Sequence, residues 1–565
     1  MDFDDLIGNY VRLIEQHEDV RDEIHARFQH ILIDEYQDTN RAQYMLIKAL
    51  AGPRRNIVAV GDEDQSIYRF RGADINNILN FERDFPGAEI VKLEQNCRST
   101  RNILDAATGV VENNVARKGK KLFTEGGSGD PVRIVTCSTD REEAQFVLER
   151  INSMRSRYKL TDFAVLFRMN AQSRPFEEEL LRANIPYSVV GGVKFYERAE
   201  IKDVISYLRL AVRPHDTPSI ERVINVPSRG IGDTTVKALD DAAAAQNVSL
   251  WTVIEQELAP LPARAAKAVR EFREIVTDLQ RAAVHPLPEL FDYLLLRTGY
   301  RRMLQESRDI QDESRLQNLE ELLSSTREFS EQNPGAGLAD YLDSVTLMSD
   351  LDRYESQKGI TLMTLHAAKG LEFKVVFLAG MEEGILPHSQ SRDETDDIEE
   401  ERRLCYVGMT RAREQLYCIH SLERRLHGQF REQSPSPFLQ EIPEEVREEV
   451  RLARARPAQA SWQQRPYTPQ QRPAQPPQRI ASTANNISSF FGGPVQLDPS
   501  AIRAAAPGAP QPASLKRGQR VRHEQFGDGV ILTMEGDGPD AKLTVYFDRA
   551  GSKKFIAKYA KLTRI

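Results

Sequence analysis

The sequence predicts an α/β protein with a helical insertion and a small β-structured C-terminal part. Two short apolar runs, Ile31–Ile33 and Ile57–Val60, each stop at acidic or glycine residues. Runs of this kind are typical of parallel strands that are buried on both faces. Between about 198 and 356 the hydrophobic pattern is almost purely helical, and roughly the last 50 residues return to strand-like alternation with glycine turns.

A second set of predicted strands follows the first along the chain. Val132–Thr136, Phe163–Phe167 and Val375–Leu378 are apolar runs of strand length. The helical stretch lies between the second and third of them, so we expect it to interrupt a second α/β unit. Residues 457–512 differ, because they hold 11 of the 29 prolines and a single acid, Asp498. Such a segment cannot bury enough apolar surface to offset ordering, and we expect a disordered linker.

Composition and charge exclude several classes of protein. The 565 residues are 40% apolar and carry a net charge of −8, so any nucleic-acid contact must come from local basic and aromatic patches. The four cysteines form no C-x-x-C pair, which argues against zinc and disulfides and favours a reducing cytosol. No run approaches about 18 apolar residues, and the start is acidic. We therefore expect a cytoplasmic protein with no membrane partner.

The first candidate site is the carboxylate pair Asp34 and Glu35 at the end of a predicted strand. Open α/β sheets bind ligands at the carboxyl ends of their strands. Carboxylates at this position suit Mg²⁺, and an adjacent acid can polarise an attacking water. The alternative is a strand end that meets solvent, and the pair alone does not separate the two interpretations.

The segment after the second predicted strand combines an amide with alternating aromatic and basic side chains. Gln65 can donate to a phosphate and accept from a water, which suits a sensor of nucleotide hydrolysis. Tyr68 and Phe70 alternate with Arg69 and Arg71. Rings interleaved with guanidinium groups suit a sequence-independent track for single-stranded nucleic acid. The alternative is a half-buried strand with exposed arginines.

Three more polar segments lie downstream: L-E-Q-N-C-R-S-T at 93–100, T-L-M-T-L-H-A-A-K-G-L-E-F at 361–373, and E-E-R-R-L-C-Y-V-G-M-T-R-A-R-E at 400–414. Arg98 and Arg411 are candidates for arginine fingers, since a cation against a transferring phosphoryl group contributes roughly 10³–10⁵ in rate. An arginine taken alone is more commonly part of a surface ion pair.

Taken together, the five segments resemble the motifs of the UvrD/PcrA/Rep group of superfamily 1 DNA helicases. I-D-E-Y-Q-D-T-N, V-G-D-x-D-Q-S-I-Y-R-F-R-G, L-E-Q-N-x-R-S-T, T-L-H-A-A-K-G-L-E-F and E-E-R-R-L-x-Y-V-G-M-T-R-A occur in family order and spacing. The resemblance covers residues 1 to about 440 and, more loosely, the C-terminal part. It implies an ATP-dependent 3′→5′ translocase that unwinds duplex DNA in repair or replication. No nuclease constellation follows, which argues against the recombination helicase-nucleases.

The resemblance also implies a domain organisation with two RecA-like P-loop NTPase domains. The expected parts are the C-terminal part of the first RecA-like domain (1–100), the second RecA-like domain (101–197 and 357–445), a helical insertion (198–356), a disordered linker (446–513) and a small Tudor-like β-barrel (514–565).

Individual roles follow from the resemblance for residues that match its motifs. Asp34 and Glu35 are expected to serve Mg²⁺ and water activation, and Gln65 to sense the γ-phosphate of ATP. Arg98 and Arg411 are expected to reach the same phosphate, and Glu372 to accept from the ribose hydroxyl. The residues expected to contact single-stranded DNA are Tyr68, Phe70, Arg71 and His366.

Two further features remain open between alternatives. The turn Gly230-Ile231-Gly232, with Thr234 after it, opens a predicted helix and could present N–H groups to a phosphate of duplex DNA; the alternative is a tight turn between packed helices. Residues 514–565 hold 11 Lys/Arg and 6 Asp/Glu. They resemble the Tudor-like module of PcrA-type helicases, for which RNA polymerase is the implied partner. The alternative is a basic barrel that touches DNA.

The 565 residues contain no G-x-x-x-x-G-K-[ST] loop, which such a site normally uses to cradle phosphates. The start of the chain matches an interior segment of the family's first motor domain, so we expect that domain to be incomplete. Three hypotheses follow: the C-terminal three quarters of an ordinary helicase, an ATP-inert protein that binds DNA and RNA polymerase, or one of two polypeptides that assemble the motor. We favour the first, because every downstream catalytic residue is present. We expect the isolated chain to lack DNA-stimulated ATPase.

Overall fold

A computed structural model of the chain describes residues 3–307, 309–354, 359–392, 395–426, 429–452, 519–523, 526–535, 541–547, 551–557, 560 and 562–564. The protein is mixed α/β, with a large parallel sheet and a C-terminal antiparallel sheet. The first residues of the predicted disordered linker (446–513) instead form a strand, Arg447–Arg451, that pairs with Val132–Thr136 of the large sheet, and from residue 453 onward the linker lies outside the described residues.

The first lobe, residues 3–86, contains a two-stranded parallel sheet flanked by helices. Tyr36 and Phe85 form its small buried core together with Ile47 and Ala51 of one helix. The predicted strand Ile31–Ile33 has its expected bounds, and it does not begin earlier because the Phe28 N–H still bonds the end of the preceding helix. The elements are α1 (Phe3–Gln16), α2 (Glu18–Arg27), β1 (Ile31–Ile33), α3 (Arg41–Ala51), β2 (Ile57–Ala59), α4 (Asn76–Leu79) and α5 (Phe81–Asp84).

One face of this small sheet is open. Leu32 of β1 is 76% exposed, and Val58 and Val60 at β2 are also exposed. Parallel strands are normally covered on both faces, so these side chains mark a surface that suits a further layer of structure.

The second lobe is built on eight strands in the order β10-β3-β8-β7-β4-β6-β5, with β9 antiparallel to β8 and all other pairs parallel. Its central strand, Phe163–Phe167, is buried throughout, as its unbroken apolar run predicts. The strands are β3 (Val132–Thr139), β4 (Phe163–Phe167), β5 (Tyr187–Val190), β6 (Ile360–Thr364), β7 (Phe373–Leu378), β8 (Ala412–Leu426), β9 (Gln429–Glu432) and β10 (Arg447–Arg451). The helices are α6 (Arg101–Val111), α7 (Asp140–Met154), α8 (Ser173–Arg182), α18 (Thr395–Met409) and α19 (Pro437–Gln440).

A helical region lies between β5 and β6 along the chain and has its own core around Tyr207, Trp251, Phe272 and Phe291. Its helices are α9 (Ala199–Val212), α10 (Thr217–Val223), α11 (Asp233–Gln246), α12 (Leu250–Gln256), α13 (Ala263–Ala282), α14 (Leu287–Arg297), α15 (Tyr300–Glu306), α16 (Ile310–Gln332) and α17 (Leu338–Tyr354). This agrees with the almost purely helical pattern of that stretch.

The C-terminal sheet has five antiparallel strands in the order β14-β13-β12-β11-β15. Val521, Ile531, Val545 and Phe547 are fully buried on one of its faces, as the alternation of strand side chains requires. The strands are β11 (Arg520–His523), β12 (Gly527–Glu535), β13 (Lys542–Phe547), β14 (Gly551–Ile556) and β15 (Leu562–Arg564).

Candidate nucleotide and nucleic-acid site

The carboxylates Asp34 and Glu35 follow β1 directly and are both exposed. Glu35 has φ 52°, a left-handed conformation that costs a non-glycine residue on the order of 1 kcal/mol. The Tyr36 N–H, which donates to Val60 O at 3.0 Å, and the Gln37 amide, which donates to Glu35 Oε2 at 2.6 Å, hold this turn in place. The strand end therefore presents two carboxylates in a fixed arrangement.

A lysine from the second lobe reaches this turn. Lys369 Nζ lies 3.1 Å from Glu35 Oε2 and contacts the Asp38 carboxylate. It also donates a hydrogen bond to the backbone carbonyl oxygen of Gln65 at 3.0 Å. Burial alone would raise the pKa of Glu35, but hydrogen bonds from Gln37 and Lys369 outweigh it and lower the pKa below its usual value. Lys369, to which we assigned no role from the sequence, thus links the two lobes.

Arg98 and Glu372 form an ion pair at the same junction. Arg98 Nε donates to Glu372 Oε2 at 2.8 Å, and Arg413 Nη1 donates to Glu372 Oε1 at 3.0 Å. The hydrogen bond from Arg98 is the main reason that the pKa of Glu372 is lowered. Both side chains remain partly exposed, so a ligand can reach them.

Arg411 is a buried cation in the second lobe. Its Nε donates to Val407 O at 2.9 Å and its Nη1 donates to Leu371 O at 3.3 Å. Burial, followed by repulsion from Arg98, lowers the pKa of Arg411 to about 10, which still leaves it charged at neutral pH. Arg411 also contributes to lowering the pKa of Glu35, so the acid of one lobe and the guanidinium of the other act on each other electrostatically.

A second set of charges joins the lobes beside Gln65. Gln65 Nε2 donates to Asp62 Oδ2 at 2.8 Å, and Lys120 of the second lobe contacts the same carboxylate. Arg117 donates to both oxygens of Asp64, at 3.1 and 2.8 Å. Burial would raise the pKa of Asp64, but Arg117 and Lys120 lower it. These pairs were not predicted, because Lys120 and Arg117 lie outside the five segments.

Five of the predicted residues lie at the junction of the lobes, which we call the crevice, namely Glu35, Gln65, Arg98, Glu372 and Arg411. Lys369 contacts the Glu35 carboxylate and the Gln65 backbone. Arg98 donates a hydrogen bond to Glu372, and the charge of Arg98 contributes to the lowered pKa of Arg411. Glu35 belongs to the first lobe, whereas Arg98, Arg411 and Lys369 belong to the second, which also contributes the acid Glu372. A carboxylate of one lobe therefore faces cations of the other.

The predicted aromatic residues form a cluster next to this crevice. The rings of Phe70 and His366 meet edge to face with centroids 5.3 Å apart, and the Tyr68 hydroxyl donates to His366 O at 3.3 Å. The Arg71 guanidinium lies 5.3 and 5.4 Å from the Tyr68 and Phe70 ring centroids. Burial, with Arg168 and Arg71 nearby, lowers the pKa of His366 to about 3, so this imidazole is neutral. Phe70 is 49% exposed and offers the open ring face.

Phe70 and His366 border a cavity of about 900 Å³ at the carboxyl ends of β4, β5 and β6. The N-terminal part of α16 forms the opposite wall. Arg168 makes a bidentate pair with Glu401, with distances of 2.8 to 3.1 Å, and Arg69 pairs with Asp397 at 2.7 Å. The charges of these two cavity arginines are balanced within the protein, which leaves the aromatic wall as the main sequence-independent binding element.

The Gly230-Ile231-Gly232 turn lies in the helical region, apart from the crevice residues along the chain. Gly230 has φ +80°, a conformation that favours glycine. Ile231 is buried and its N–H donates to Asn225 Oδ1 at 3.1 Å, whereas Gly230, Gly232 and Thr234 are exposed at the start of α11. The buried isoleucine anchors the turn, and the exposed residues are available at its surface.

This fold and the grouping of charged and aromatic side chains at the junction of the lobes are typical of a class of protein, the two-lobed nucleotide-dependent enzymes that act on nucleic acid. Within the part of the chain that the structure describes, no helix is long and apolar enough to cross a membrane.

Comparison with known families specifies the class further. Residues 1–86 match the UvrD/REP helicase N-terminal domain, 91–423 the UvrD-like helicase C-terminal domain, and 518–564 the PcrA/UvrD tudor domain. An ATP-dependent DNA helicase PcrA from Leuconostoc citreum is 41% identical over 577 residues, covering 100% of this chain and 75% of the relative. Another from Bacillus subtilis is 39% identical over 576 residues, covering 100% and 74%. The chain belongs to the UvrD/PcrA family of ATP-dependent DNA helicases. This confirms the resemblance and supports the helicase interpretation rather than the ATP-inert alternative.

Proposed function

We propose that the crevice between the lobes is the ATP site of a 3′→5′ DNA translocase and that the aromatic cluster and its cavity hold the single strand. The observation that carries this proposal is the convergence of Glu35 of the first lobe with Lys369 and Arg411 of the second. A crevice with opposite charges on separable lobes closes or opens according to what is bound between them. Repair and replication are the pathways that the family suggests.

The residues of the crevice fit Mg²⁺ and a nucleoside triphosphate. Asp34 and Glu35 supply hard oxygen ligands. The described segments contain no cluster of three or more His, Cys, Asp or Glu that could hold a metal. This agrees with Mg²⁺, which is usually bound by one or two carboxylates together with substrate phosphates. Arg98 and Arg411 would hold phosphates and Glu372 the ribose hydroxyl. When bound, ATP supplies a charge that bridges the lobes and is removed on hydrolysis.

Side chains at the crevice are already oriented and charged as binding of a triphosphate requires. Arg411 is held by carbonyl oxygens of its own lobe, so its cation is already oriented and needs little reorganisation. Glu35 has a lowered pKa and is ionised at neutral pH, as a group that polarises water must be. Gln65 is held by Asp62 through its side-chain amide nitrogen, which leaves the side-chain oxygen Oε1 to accept a hydrogen bond.

The finer organisation is part of the same proposal. Residues 1–100 would belong to a first RecA-like domain and 101–197 with 357–445 to a second, with 198–356 as an insertion and 514–565 as a Tudor-like module that docks RNA polymerase. The exposed face of β1 and β2 supports a first domain that takes further structure, and a segment that carries the phosphate loop suits that face. The free cysteines support a cytoplasmic location.

A chimera tests the proposed motor. Fusing ahead of Met1 the quarter of the Leuconostoc citreum relative that this chain does not cover, in which we expect the phosphate loop, should give ATPase stimulated by single-stranded DNA and unwinding of 3′-tailed duplexes. The 565-residue chain alone is expected to show neither. Glu35→Gln in the chimera should lower kcat by roughly 10²–10⁴, because the group that activates water is lost.

The matched control is Glu18→Gln, which changes an exposed acid of the first lobe and should leave kcat unchanged. Turnover by the 565-residue chain alone that Glu35→Gln abolishes would contradict the need for a phosphate loop. Unwinding only of 5′-tailed duplexes would contradict the polarity.

A second prediction concerns Lys369, whose ammonium lies where the carboxylates would otherwise attract a metal ion. Lys369→Met should increase the affinity of the 565-residue chain for Mn²⁺ several-fold, because a competing cation is removed from Glu35. Binding is measured by electron paramagnetic resonance of free Mn²⁺.

Two variants control this measurement. Lys374→Met removes a partly exposed lysine paired with Asp162 and should have no effect. Lys369→Met combined with Glu35→Gln should lose the gain. Unchanged or weaker Mn²⁺ binding by Lys369→Met would show that this ammonium does not compete for the metal position.

A further inference from the structure

The C-terminal sheet packs one of its faces on the helical region. Tyr546 of β13 is fully buried, and its ring stacks on that of Tyr293 in α14 with centroids 4.6 Å apart and 28° between planes. His285, between α13 and α14, meets the same ring edge to face at 5.0 Å. Stacked and edge-to-face aromatic pairs of this geometry stabilise a contact beyond the area that they bury.

The residues of this contact form a row across three strands. Arg520 of β11 lies opposite Val530 of β12, and Val530 lies opposite Tyr546 of β13. We call these three residues the outer row. Their neighbours along the strands, among them Val521 and Phe547, face the interior of the C-terminal part. On an isolated sheet the outer row would face solvent, yet Val530 and Tyr546 are buried in the core of the helical region.

An ion pair accompanies the apolar contact. Arg520 Nη1 lies 3.6 Å from Asp278 Oδ2 of α13, and Asp278 is buried. Arg297 Nε donates to the same oxygen at 2.8 Å, so the carboxylate is neutralised even without the sheet. Arg520 therefore adds orientation to the contact, because it fixes which edge of the sheet lies over α13.

The helix that receives the sheet also anchors the glycine turn at Gly230. Arg229, the residue before it, donates to the carbonyl oxygen of Thr298 at the end of α14, at 3.3 Å. Ile231 is buried in the same core as Tyr293 and Tyr546. The sheet thus rests on the structure that holds the exposed turn of the helical region.

We propose that the outer row is a docking surface whose occupant is this chain's own helix pair α13 and α14, and that the docked sheet is closed to other proteins on this face. Another protein that binds the outer row must displace the helices, because Val530 and Tyr546 are buried against them. Docking on the helical region and capture of a partner through the outer row therefore exclude each other. The inference depends on the contact alone and not on the identity of the partner.

Energy transfer within the full 565-residue chain tests the docking. Dyes are placed on Lys267→Cys in α13 and Lys554→Cys in β14, both exposed, in a Cys97→Ser background that removes the exposed native cysteine. A high efficiency of energy transfer between the two dyes is expected in this labelled chain, which is the parent of the variants below. Tyr546→Ser and Tyr293→Ala, which remove the stack from either side, should each lower the ratio of docked to undocked chains at least about tenfold.

Charge reversal provides the matched comparison. Arg520→Glu should also release the sheet, whereas Arg522→Glu, on the same strand but 62% exposed and paired with Asp528, should not. Hydrogen exchange of the β12 and β13 amides and the fluorescence of buried Trp251 show that both parts stay folded. Low transfer in the parent, equal transfer in all variants, or equal loss with Arg520→Glu and Arg522→Glu would overturn the proposal.

Discussion

Replacing both Tyr68 and Phe70 by alanine is expected to weaken binding of single-stranded DNA between about 30-fold and 10⁴-fold. Each base stacked on an aromatic side chain contributes roughly 1–3 kcal/mol, and two rings are removed. The neighbouring arginines cannot compensate, because Arg69 is paired with Asp397 and Arg71 is positioned against the same two rings. The affinity is measured by fluorescence anisotropy of a labelled oligothymidine at fixed salt, since phosphate contacts make it depend on salt.

The specificity of this effect rests on two comparisons. Phe430→Ala removes an exposed aromatic ring of β9 that packs on Arg425 and should leave the affinity unchanged. Binding of blunt duplex DNA, for which the turn at Gly230 is the candidate contact, should change little in the double variant. An equal loss on single-stranded and duplex DNA would contradict the stacking role.

The parts of the candidate site that the sequence can select are polar residues that come soon after a strand. Asp34 and Glu35 directly follow an apolar run, and Gln65 lies in the polar segment after the next one. The pairing of Lys369 with Asp38 spans 331 positions, and no local pattern encodes which lysine crosses from one lobe to the other. The same holds for Arg117 and its partner, since a long-range ion pair depends on how the lobes pack and not on spacing.

The same difference applies to the strands: a strand is predictable when its own sequence shows the pattern, and not when it depends on partners from other elements. Phe163–Phe167 is predicted with its observed bounds, because a central parallel strand is continuously apolar. The 15-residue strand β8, Ala412–Leu426, carries many charges and was not predicted. Its charged side chains are tolerated in the interior only because they find partners on other elements, which the sequence of the strand itself does not reveal.

The clearest case is Arg424 of β8, which is buried with two glutamates. Arg424 Nε and Nη2 each lie 2.7 Å from a Glu382 oxygen, and Nη2 lies 2.6 Å from Glu143 Oε2. The two carboxylates also accept hydrogen bonds from backbone N–H groups. Ser421 N–H donates to Glu382 at 2.7 Å, and Gly380 N–H donates to Glu143 at 2.8 Å. Arg424 is the cation that contacts both glutamates. Burial raises the pKa of Glu143, and the positive charge of Arg424 opposes that shift.

Arg424→Met is therefore expected to destabilise the second lobe by about 3–5 kcal/mol, because it leaves two buried carboxylates without their cation. Hydrogen exchange of the β7 and β8 amides measures the free energy of opening of this sheet. Arg451→Met, which removes an exposed arginine of β10, should change that free energy by less than about 0.5 kcal/mol.

The decisive comparison adds Glu382→Gln and Glu143→Gln to Arg424→Met. The amide oxygens can still accept from the Ser421 and Gly380 N–H groups, and no net charge remains buried in the cluster. The triple variant should therefore regain most of the lost free energy, since uncompensated buried charge and not lost packing is the cause. A triple variant as unstable as Arg424→Met alone would instead assign the loss to packing around the arginine side chain.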